Sequence, residues 1–354
     1  MVKDDFIISY THPILVTGSN GFIGSKVVEI LLSYGFRNLR CFVRPSGNLI
    51  TLKKIISSYS GANVQILEGN LQSRDDCIKA AKDVSIIYHL AAGRGVKSYP
   101  DAYMNSVVTT RNLMEAASQN TNMRRFVNVS SFTVYSNMKI KHGGLLDETC
   151  DIESQSELRG DAYCYAKVKQ DELVTEYGKK YNIPIVIVRP GAAYGPGNKG
   201  ITGRVGIDTF GIFLHLGGSN IIPLTYVDNC AEAIVLAGLK KGVDDELFNV
   251  VDDELPTSRE FLKMYKKNVQ HFKSIYVPRM VSYFLCYLWE KYSEWSQGQL
   301  PPVFNRRRWS SDWKGNRYSN EKLKKRLGWL PKVSFDKATK CYFEYQRNVM
   351  GIKG

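Results

Sequence analysis

The sequence predicts an α/β fold, a doubly wound parallel sheet with a smaller C-terminal lobe, and three observations favour it. Short β-branched runs alternate with amphipathic stretches through the first 190 residues. Glycines follow the first of these runs directly, with the spacing G-x-x-G-x-x-G. After Pro190 the periodic pattern is interrupted by glycine-rich stretches such as GPGNKG and HLGGSN. We therefore expect residues 1–190 to form the sheet and 191–354 mainly the lobe, with some segments returning to the sheet.

The individual elements follow from hydrophobic periodicity in chain order. Apolar runs predict strands over 14–18, 38–43, 63–69, 84–90, 125–130 and 183–190. Amphipathic stretches between them predict helices, notably over 22–34, 103–119 and 163–181. Because crossovers between parallel strands are right-handed, a sheet with helices on both faces is the simplest topology.

Composition narrows the class of protein. Apolar residues make up 44% of the 354 residues and charged residues 23%, which is typical of a folded globular chain. The net charge of +14 favours an anionic partner, namely a dinucleotide, a phosphorylated substrate, a membrane surface or nucleic acid. The chain shows no pattern of aromatic and basic residues that matches a known nucleic-acid module. We therefore expect no nucleic-acid partner.

Cysteine usage and the N-terminus bear on location. Seven cysteines are widely spread without a C-x-x-C pair, which indicates reduced thiols in the cytoplasm and neither a disulfide frame nor a metal site. The opening MVKDDFIISYTHPILVTG lacks the features of a secretory signal in their usual order. No uninterrupted apolar run reaches the roughly 18 residues that span a bilayer.

The glycine-rich turn predicts a cradle for phosphate. Gly18, Gly21 and Gly24 lie where a backbone turns tightly after the first strand, approaches a pyrophosphate and packs against a helix. The helix N-terminus adds N–H groups and the positive end of its dipole. The context therefore favours Rossmann-type dinucleotide binding, with Asn20, Phe22 and Ile23 in the same turn, over a structural turn without a ligand.

The choice between NAD and NADP is expected at the end of the second strand, about 20 residues past the glycines. The stretch there is CFVRPSGN, and Arg44 stands where a carboxylate would favour NAD. Because a guanidinium can pair with a 2′-phosphate, NADP is favoured over NAD. The alternative is that Arg44 stacks on adenine or points to solvent.

Several motifs together resemble one family. TGSNGFIG, HLAAG, VSSFTVY, YCYAK and RPGAAYGPG resemble the extended short-chain dehydrogenase/reductase superfamily, with its NAD-dependent epimerase/dehydratase family and its 3β-hydroxysteroid dehydrogenase-like and dihydroflavonol reductase-like branches. The similarity covers essentially the whole chain, since PLTYVDNCAEAI, FNVVDDE and RYSNEKLKKRLGWLPKVSF also match. The resemblance implies an enzyme with a Ser-Tyr-Lys catalytic set.

Two tyrosines each have a lysine four residues later, Tyr163 with Lys167 and Tyr165 with Lys169. Residues at i and i+4 share a helix face, so an ammonium can lower the pKa of a neighbouring phenol. The two pairs lie about 200° apart around a helix, so only one can face a cofactor. The family has a small residue directly before the lysine, which assigns the roles to Tyr163 and Lys167.

The resemblance also implies what each member of the set does. Tyr163 would exchange a proton with the reacting oxygen. Lys167 would hold the nicotinamide ribose and lower the pKa of the tyrosine. Ser131, with Ser130 as its neighbour, would hydrogen-bond the reacting oxygen; the alternative is that both hydroxyls only cap the strand end.

Other family positions would line the cofactor. These are Asn70 and Leu71 near adenine, Leu90, Ala91 and Ala92 after the fourth strand, and Pro190 to Ala193 near the nicotinamide. Two positions depart from the family pattern, because Asn70 replaces a common Asp and Ser106, next to Asn105, stands where the family has Asn.

The function that the resemblance favours is an NAD(P)-dependent oxidoreductase that interconverts a secondary alcohol and a ketone. One alternative is an NAD-dependent epimerase of a nucleotide- or lipid-linked sugar, and another is a non-catalytic dinucleotide-sensing protein. The diphosphate-binding arginine of sugar-nucleotide enzymes is missing from LGGSNIIPLTYVDN, although Arg189, Arg204 or Arg306 to Arg308 could replace it. SSFTVYSN lacks the acidic pair of a dehydratase.

The stretch over 275–295 is dense in aromatic and apolar residues. It resembles the hydrophobic segment of the sterol-dehydrogenase-like branch, where it could line an apolar pocket or rest on a membrane surface, so the cytoplasmic protein could be membrane-associated. The alternative is a buried helix that packs the lobe onto the sheet. Family members often pair through two helices, which here would be 103–119 and 163–181, so a homodimer is compatible with the sequence.

Overall fold

A computed structural model describes residues 5–93, 98–297, 299–300 and 303–352, so the first four residues of the segment inspected for a signal lie outside the described residues. The strands are β1 Ile14–Thr17, β2 Asn38–Val43, β3 Asn63–Glu68, β4 Ile86–His89, β5 Arg125–Val129, β6 Leu145–Leu146, β7 Ile185–Pro190, β8 Ala192–Tyr194, β9 Gly206–Thr209, β10 Ile212–His215, β11 Leu224–Tyr226, β12 Glu246–Val250, β13 Ser274–Tyr276 and β14 Arg317–Tyr318. The α-helices are α1 Phe22–Ser33, α2 Ile50–Ser57, α3 Arg74–Ala81, α4 Tyr99–Tyr103, α5 Thr109–Ser118, α6 Ala162–Tyr181, α7 Val227–Leu239, α8 Ser258–Asn268, α9 Arg279–Trp295, α10 Arg306–Trp313, α11 Glu321–Leu327 and α12 Phe335–Met350.

The predicted doubly wound sheet is confirmed. Seven parallel strands lie in the order β12-β7-β5-β4-β1-β2-β3. Every residue of β1, β4, β5 and β7 is buried, as expected for strands covered by helices on both faces. The six predicted strands are all present, and the seventh, β12, comes from the second half of the chain.

Helices pack on both faces of the sheet and define two cores. On one face α1 packs against α7, and apolar side chains such as Val27, Leu31 and Ile234 are fully buried. On the other face α3, α5 and α6 bury side chains that include Leu113 and Val174. Both faces of the sheet are thus covered by helices.

The helix predicted over 103–119 differs in detail from the structure. The helix begins at Tyr99, where the Ser98 hydroxyl oxygen accepts a hydrogen bond from Asp101 N at 3.2 Å. A π-helical segment over Met104–Val108 then separates α4 from α5. The apolar period of 3.6 does not reveal such an insertion, which often marks a functional site.

The second half of the chain forms small sheets and an aromatic core. β9 and β10 form an antiparallel hairpin, and β13 pairs with the other edge of β10. Two further pairs are β8 with β11 and β6 with β14. The core there includes the rings of Tyr194, Phe261, Tyr265, Tyr342 and Phe343. This core holds α8 and α12 beside β8, which directly follows sheet strand β7.

The alternative of a buried helix over 275–295 is wrong, because most large side chains of α9 face outward. Only Ser282, Cys286 and Ser293 of this helix are buried. The exposed apolar side chains are Met280, Val281, Phe284, Leu285, Leu288, Tyr292 and Trp295, which we call the α9 stripe. Among the described helices, none has both the length and the apolar character needed to cross a bilayer.

Candidate active site

A cleft of about 550 Å³ lies at the carboxyl ends of β1, β2, β4, β5 and β7. Of the residues predicted to bind cofactor or to catalyse, Ala192 in the 190–193 span does not line it. The others do, namely Gly18, Asn20, Gly21, Phe22, Ile23, Gly24, Arg44, Asn70, Leu71, Leu90, Ala91, Ala92, Ser131, Tyr163, Lys167, Pro190, Gly191 and Ala193. The lining also contains residues that the sequence analysis missed, namely Phe42, Val43, Ser46, Gly47, Asn105, Thr109, Val129 and Asn198. Ser46 and Gly47 follow Arg44 in the same loop and could have been found there, whereas Thr109 and Asn198 carry no local signal.

The glycine-rich turn has the shape that a dinucleotide phosphate requires. Gly18 has φ +67°, and a Cβ there would lie 3.0 Å from Ala91 N. A Cβ at Gly24 would lie 2.1 Å from the Gly18 carbonyl oxygen. Helix α1 begins directly after Gly21 without a side-chain cap. The first-turn N–H groups and the close backbone therefore fit a pyrophosphate.

The Lys167 ammonium is buried at the end of β5. Its Nζ donates to the Val129 carbonyl oxygen at 2.7 Å and to Gln170 Oε1 at 2.8 Å. Burial lowers the pKa of Lys167 to about 8, and the nearby carboxylate of Asp171 acts in the opposite direction. An ammonium has three N–H donors, so one remains beyond these two bonds for the cleft that Lys167 lines.

The two Tyr-Lys pairs of α6 have different surroundings. Tyr163 is half-buried and lines the cleft together with Lys167. Tyr165 instead packs edge to face against Tyr99, with 5.2 Å between ring centroids. Lys169 forms an exposed salt bridge with Glu172 at 3.0 Å.

The two neighbouring serines also differ. Ser130 Oγ donates to Asp171 Oδ2 at 2.8 Å and is buried. Ser131 Oγ accepts from Thr133 N at 3.2 Å and caps a short 3₁₀ helix. Because a hydroxyl that accepts can still donate its own hydrogen, Ser131 can hydrogen-bond an oxygen in the cleft.

A buried ion pair lies behind the serines. Arg189 Nη2 is 3.1 Å from Asp171 Oδ2, and Asn128 Nδ2 donates to Asp171 Oδ1 at 3.0 Å. Burial raises the pKa of Asp171, while the guanidinium of Arg189 opposes this rise. The pair ties α6 to β7 and occupies Arg189, so this arginine does not serve as a substrate ligand.

Charge at the cleft is sparse. Among the described residues that line it, Arg44 and Lys167 alone are charged. The other arginines considered for a diphosphate bind elsewhere, with Arg204 on Ser311 O at 2.9 Å, Arg306 on Glu290 at 2.7 Å, Arg307 on Glu153 at 3.1 Å and Arg308 on Val303 O at 3.1 Å. The arginines considered for a diphosphate are therefore engaged in the protein.

The two departures from the family pattern both serve loops at the cleft. Asn70 Oδ1 accepts from Gln72 N at 3.0 Å and closes the turn after β3. Ser106 Oγ accepts from Gly93 N at 3.0 Å and fixes the loop after β4.

A parallel sheet with a glycine cradle at its carboxyl edge is the architecture of a Rossmann-type dinucleotide-binding protein. The model of the NAD dependent epimerase/dehydratase family matches residues 14–250. The chain therefore belongs to this family, within the extended short-chain dehydrogenase/reductase superfamily.

The chain is similar to proteins with different activities. It is 27% identical over 274 residues to a trifunctional UDP-glucose 4,6-dehydratase, UDP-4-keto-6-deoxy-D-glucose 3,5-epimerase and UDP-4-keto-L-rhamnose reductase of Arabidopsis thaliana, covering 72% of this chain but only 40% of that protein. It is 24% identical over 344 residues to the decarboxylating sterol-4-alpha-carboxylate 3-dehydrogenase of Mus musculus, covering 94% and 90% of the two chains. UDP-glucuronic acid 4-epimerase of Bacillus cereus, solved with UDP-glucuronic acid and NAD, superimposes with a TM-score of 0.71 at 21% identity over 95% and 99% of the two chains, which shows the shared fold.

Proposed function

We propose that the chain is an NAD(P)-dependent oxidoreductase that interconverts a secondary alcohol and a ketone. The supporting observation is that Ser131, Tyr163 and Lys167 line one cleft with the glycine cradle, while the arginines considered for a diphosphate are engaged in the protein. A substrate without a diphosphate suits such a cleft. The near full-length similarity to a sterol dehydrogenase agrees with this class of substrate.

Each residue of the set has a distinct task in the proposed reaction. A bound dinucleotide would supply or accept the hydride. Tyr163 would donate its phenolic proton to the ketone oxygen, or take the proton from the alcohol. Ser131 would donate a hydrogen bond to the same oxygen. Lys167 would use its remaining N–H on the cofactor ribose, and its charge would favour the phenolate.

NADP is the cofactor that we propose. Arg44 is exposed at the end of β2 and lines the cleft with Ser46 and Gly47. Among the described lining residues there is no carboxylate that would bind the ribose hydroxyls of NAD and repel a 2′-phosphate. An arginine beside a serine hydroxyl is suited to bind that phosphate.

The test begins with purified protein, which is denatured to identify any released cofactor, followed by titration of the apo-protein with NADPH and NADH. We expect an empty protein that prefers NADPH by about tenfold, or about 1.4 kcal/mol. Arg44→Ser should remove this preference and leave NADH affinity unchanged. Arg74→Ser, at an exposed arginine outside the cleft, is the matched control. A preference that survives Arg44→Ser would contradict the assignment.

A second candidate is an epimerase in which tightly bound NAD is reduced and reoxidised within one turnover. The names of several relatives, which are sugar-nucleotide dehydratases and epimerases, favour it. Release of stoichiometric NAD from denatured protein, together with no net change in NADH during turnover of a UDP-sugar, would establish this candidate over the first.

For the α9 stripe we propose contact with an anionic membrane surface. Phe284 and Leu288 are 56% and 45% exposed one helical turn apart, and Trp295 is 76% exposed at the end of the helix. Aromatic rings and aliphatic side chains on one face of a surface helix are typical of an interfacial helix. The net charge of +14 suits an anionic lipid headgroup.

Flotation with vesicles tests this contact. We expect the protein to float with vesicles that contain phosphatidylserine, and the double variant Phe284→Ser, Leu288→Ser to remain in solution. Ile50→Ser on α2 removes an apolar side chain that is 75% exposed elsewhere and is the matched control. Equal flotation of the double variant and the control would contradict the proposal.

We further propose that 1–190 is the NAD(P)-binding domain and that 191–354 is mainly the substrate lobe. We also propose a cytoplasmic location, because all seven cysteines are free thiols and reduced thiols are typical of the cytoplasm. The homodimer stays a prediction, which sedimentation of the purified protein would check.

A further inference from the structure

A chain of hydrogen bonds runs through the interior from the cleft backbone to Lys167. Four side chains carry it, and Thr17 at the end of β1, His89 at the end of β4, Thr110 on α5 and Gln170 on α6 are all fully buried. The successive distances are Ala91 N to Thr17 Oγ1 3.3 Å, Thr17 Oγ1 to His89 Nδ1 2.8 Å, His89 Nε2 to Thr110 Oγ1 2.8 Å, Gln170 Nε2 to Thr110 Oγ1 2.7 Å and Lys167 Nζ to Gln170 Oε1 2.8 Å. Sequence analysis did not predict this chain.

The direction of each hydrogen bond is fixed from Thr110 outward. Its hydroxyl donates to the Ser106 carbonyl oxygen at 2.6 Å, so its oxygen can only accept from the other two neighbours. Gln170 must therefore present its amide NH₂ to Thr110 and its carbonyl oxygen to Lys167. The reversed amide would place its NH₂ against the Lys167 ammonium, which is itself a donor, and its carbonyl oxygen against Thr110, whose hydrogen is already given to the Ser106 carbonyl oxygen.

His89 is fixed by the same reasoning. Because Thr110 accepts, His89 must donate from Nε2, and its Nδ1 accepts from the Thr17 hydroxyl. The Thr17 oxygen accepts from Ala91 N through a lone pair, and its hydroxyl hydrogen remains for His89 Nδ1. This tautomer is a neutral imidazole, and burial, together with the charge of Lys167, favours the neutral form by lowering the pKa of His89 to about 3.

We propose that Thr17, His89, Thr110 and Gln170 are positioning residues that hold the Gln170 carbonyl oxygen on the Lys167 ammonium. With Val129 O as the second acceptor, the arrangement leaves the third N–H of Lys167 for the cleft. The same chain ends on Ala91, which lines the cleft, so it also joins two walls of the cofactor site. This inference rests on the proposed role of Lys167 in binding a dinucleotide.

Other charged groups near Lys167 must stay constant in any test. Tyr163 and Asp171 lie on the same helix, Arg189 on β7 is paired with Asp171, and His89 faces it from β4. None of the substitutions used below alters these four residues.

The experiment measures NADPH affinity of the full chain against pH. Affinity of the wild type should fall as Lys167 loses its proton, near pH 8. Thr110→Val removes the acceptor that orients Gln170, so the midpoint should move to lower pH by about one unit. Gln170→Glu places a carboxylate on the ammonium, so its midpoint should move to higher pH. Thr110→Ser should restore the wild-type curve.

Thr175→Val is the matched control. The Thr175 hydroxyl also donates to a helix carbonyl oxygen, that of Asp171 at 2.9 Å, but Thr175 is not part of the hydrogen-bond chain. The proposal is supported if the pH midpoint moves down for Thr110→Val, up for Gln170→Glu and not at all for Thr175→Val. A general loss of stability would not move the midpoint in opposite directions. Equal curves for wild type and Thr110→Val would overturn it.

A histidine nitrogen spectrum separates this proposal from the proposed function. His89 should show a protonated Nε2 and an unprotonated Nδ1, unchanged between pH 5 and pH 8. A spectrum with protonated Nδ1, or titration in this range, would overturn the positioning chain even if NADPH binds. If the wild type binds no dinucleotide, the proposed function fails, and this spectrum alone decides the chain.

Discussion

In most folded proteins charged side chains face water and large apolar side chains are buried. Two regions of this molecule depart from that arrangement in opposite ways. Behind the cleft, the charged groups of Lys167, Asp171 and Arg189 are buried, each with hydrogen-bonding partners. Along α9, large apolar side chains such as Phe284 and Trp295 face water. Neither arrangement favours the folded state by itself, since burial of charge and exposure of apolar surface both cost free energy. We infer that each region is shaped by something that it binds.

The largest effect is expected from Tyr163→Phe, which removes the proposed acid without changing the size of the ring. Turnover should fall by a factor of roughly 10² to 10⁴, the usual contribution of a positioned acid or base, while NADPH affinity is retained. Tyr165→Phe, two residues along and packed on Tyr99, should retain turnover. Steady-state kinetics of both variants provide the measurement. An equal loss of activity in the two would contradict the assignment of Tyr163 as the acid.

Breaking the buried ion pair should have the next largest effect. Asp171→Asn leaves Arg189 buried without its counter-charge, and we expect the free energy of unfolding to fall by about 3–5 kcal/mol. Asp151→Asn breaks an exposed pair with Lys139 and should leave the free energy of unfolding nearly unchanged. Urea denaturation measures both, and similar losses would mean that burial does not set the strength of these pairs.

The buried lysine should make stability depend on pH. The pKa of Lys167 falls from 10.5 in an unfolded chain to about 8, so the unfolded state binds more protons between these values and stability rises with pH across this window. At about 1.4 kcal/mol for each pH unit, this contribution is about 3 kcal/mol. In urea titrations at pH 8 and pH 10, Lys167→Met should lack the rise that the wild type shows; an equal rise in both proteins would assign it to other groups.

The smallest effect on stability is expected along α9. The double variant Phe284→Ser, Leu288→Ser removes side chains that already contact water, so the free energy of unfolding should change by less than about 0.5 kcal/mol for each site. Leu113→Ala in the fully buried core beneath α5 should instead cost about 2–5 kcal/mol. A large loss in the α9 variant would show that the stripe packs against the protein rather than against an external surface.

The sheet around the cleft could largely be predicted from the sequence, because its strands are local apolar runs. All six predicted strands exist, with ends that differ by at most two residues, as for 84–90 against Ile86–His89. Part of the cleft could also be anticipated, since the glycine turn, Arg44 and Leu90 directly follow strand ends. Local order along the chain was sufficient for these features.

The remaining features depend on contacts between distant parts of the chain. Gln170 meets Thr110 from 60 residues away and His89 meets Thr17 from 72, so no window of sequence contains the positioning chain. The π-helical segment follows the same apolar period as an α-helix would. An amphipathic pattern shows that α9 has an apolar face, but not whether the protein covers that face.

The place of β12 in the sheet also constrains how the chain can be synthesised. β12 pairs with β7, and the 191–245 segment separates the two strands along the chain. When the ribosome has delivered β7, the strand that covers its outer edge has not yet been made, although all six residues of β7 are buried in the finished protein. An uncovered apolar edge readily pairs with other chains. A nascent chain must therefore keep this edge from its neighbours until residue 250 has emerged, and a fragment that ends at residue 190 would carry it permanently.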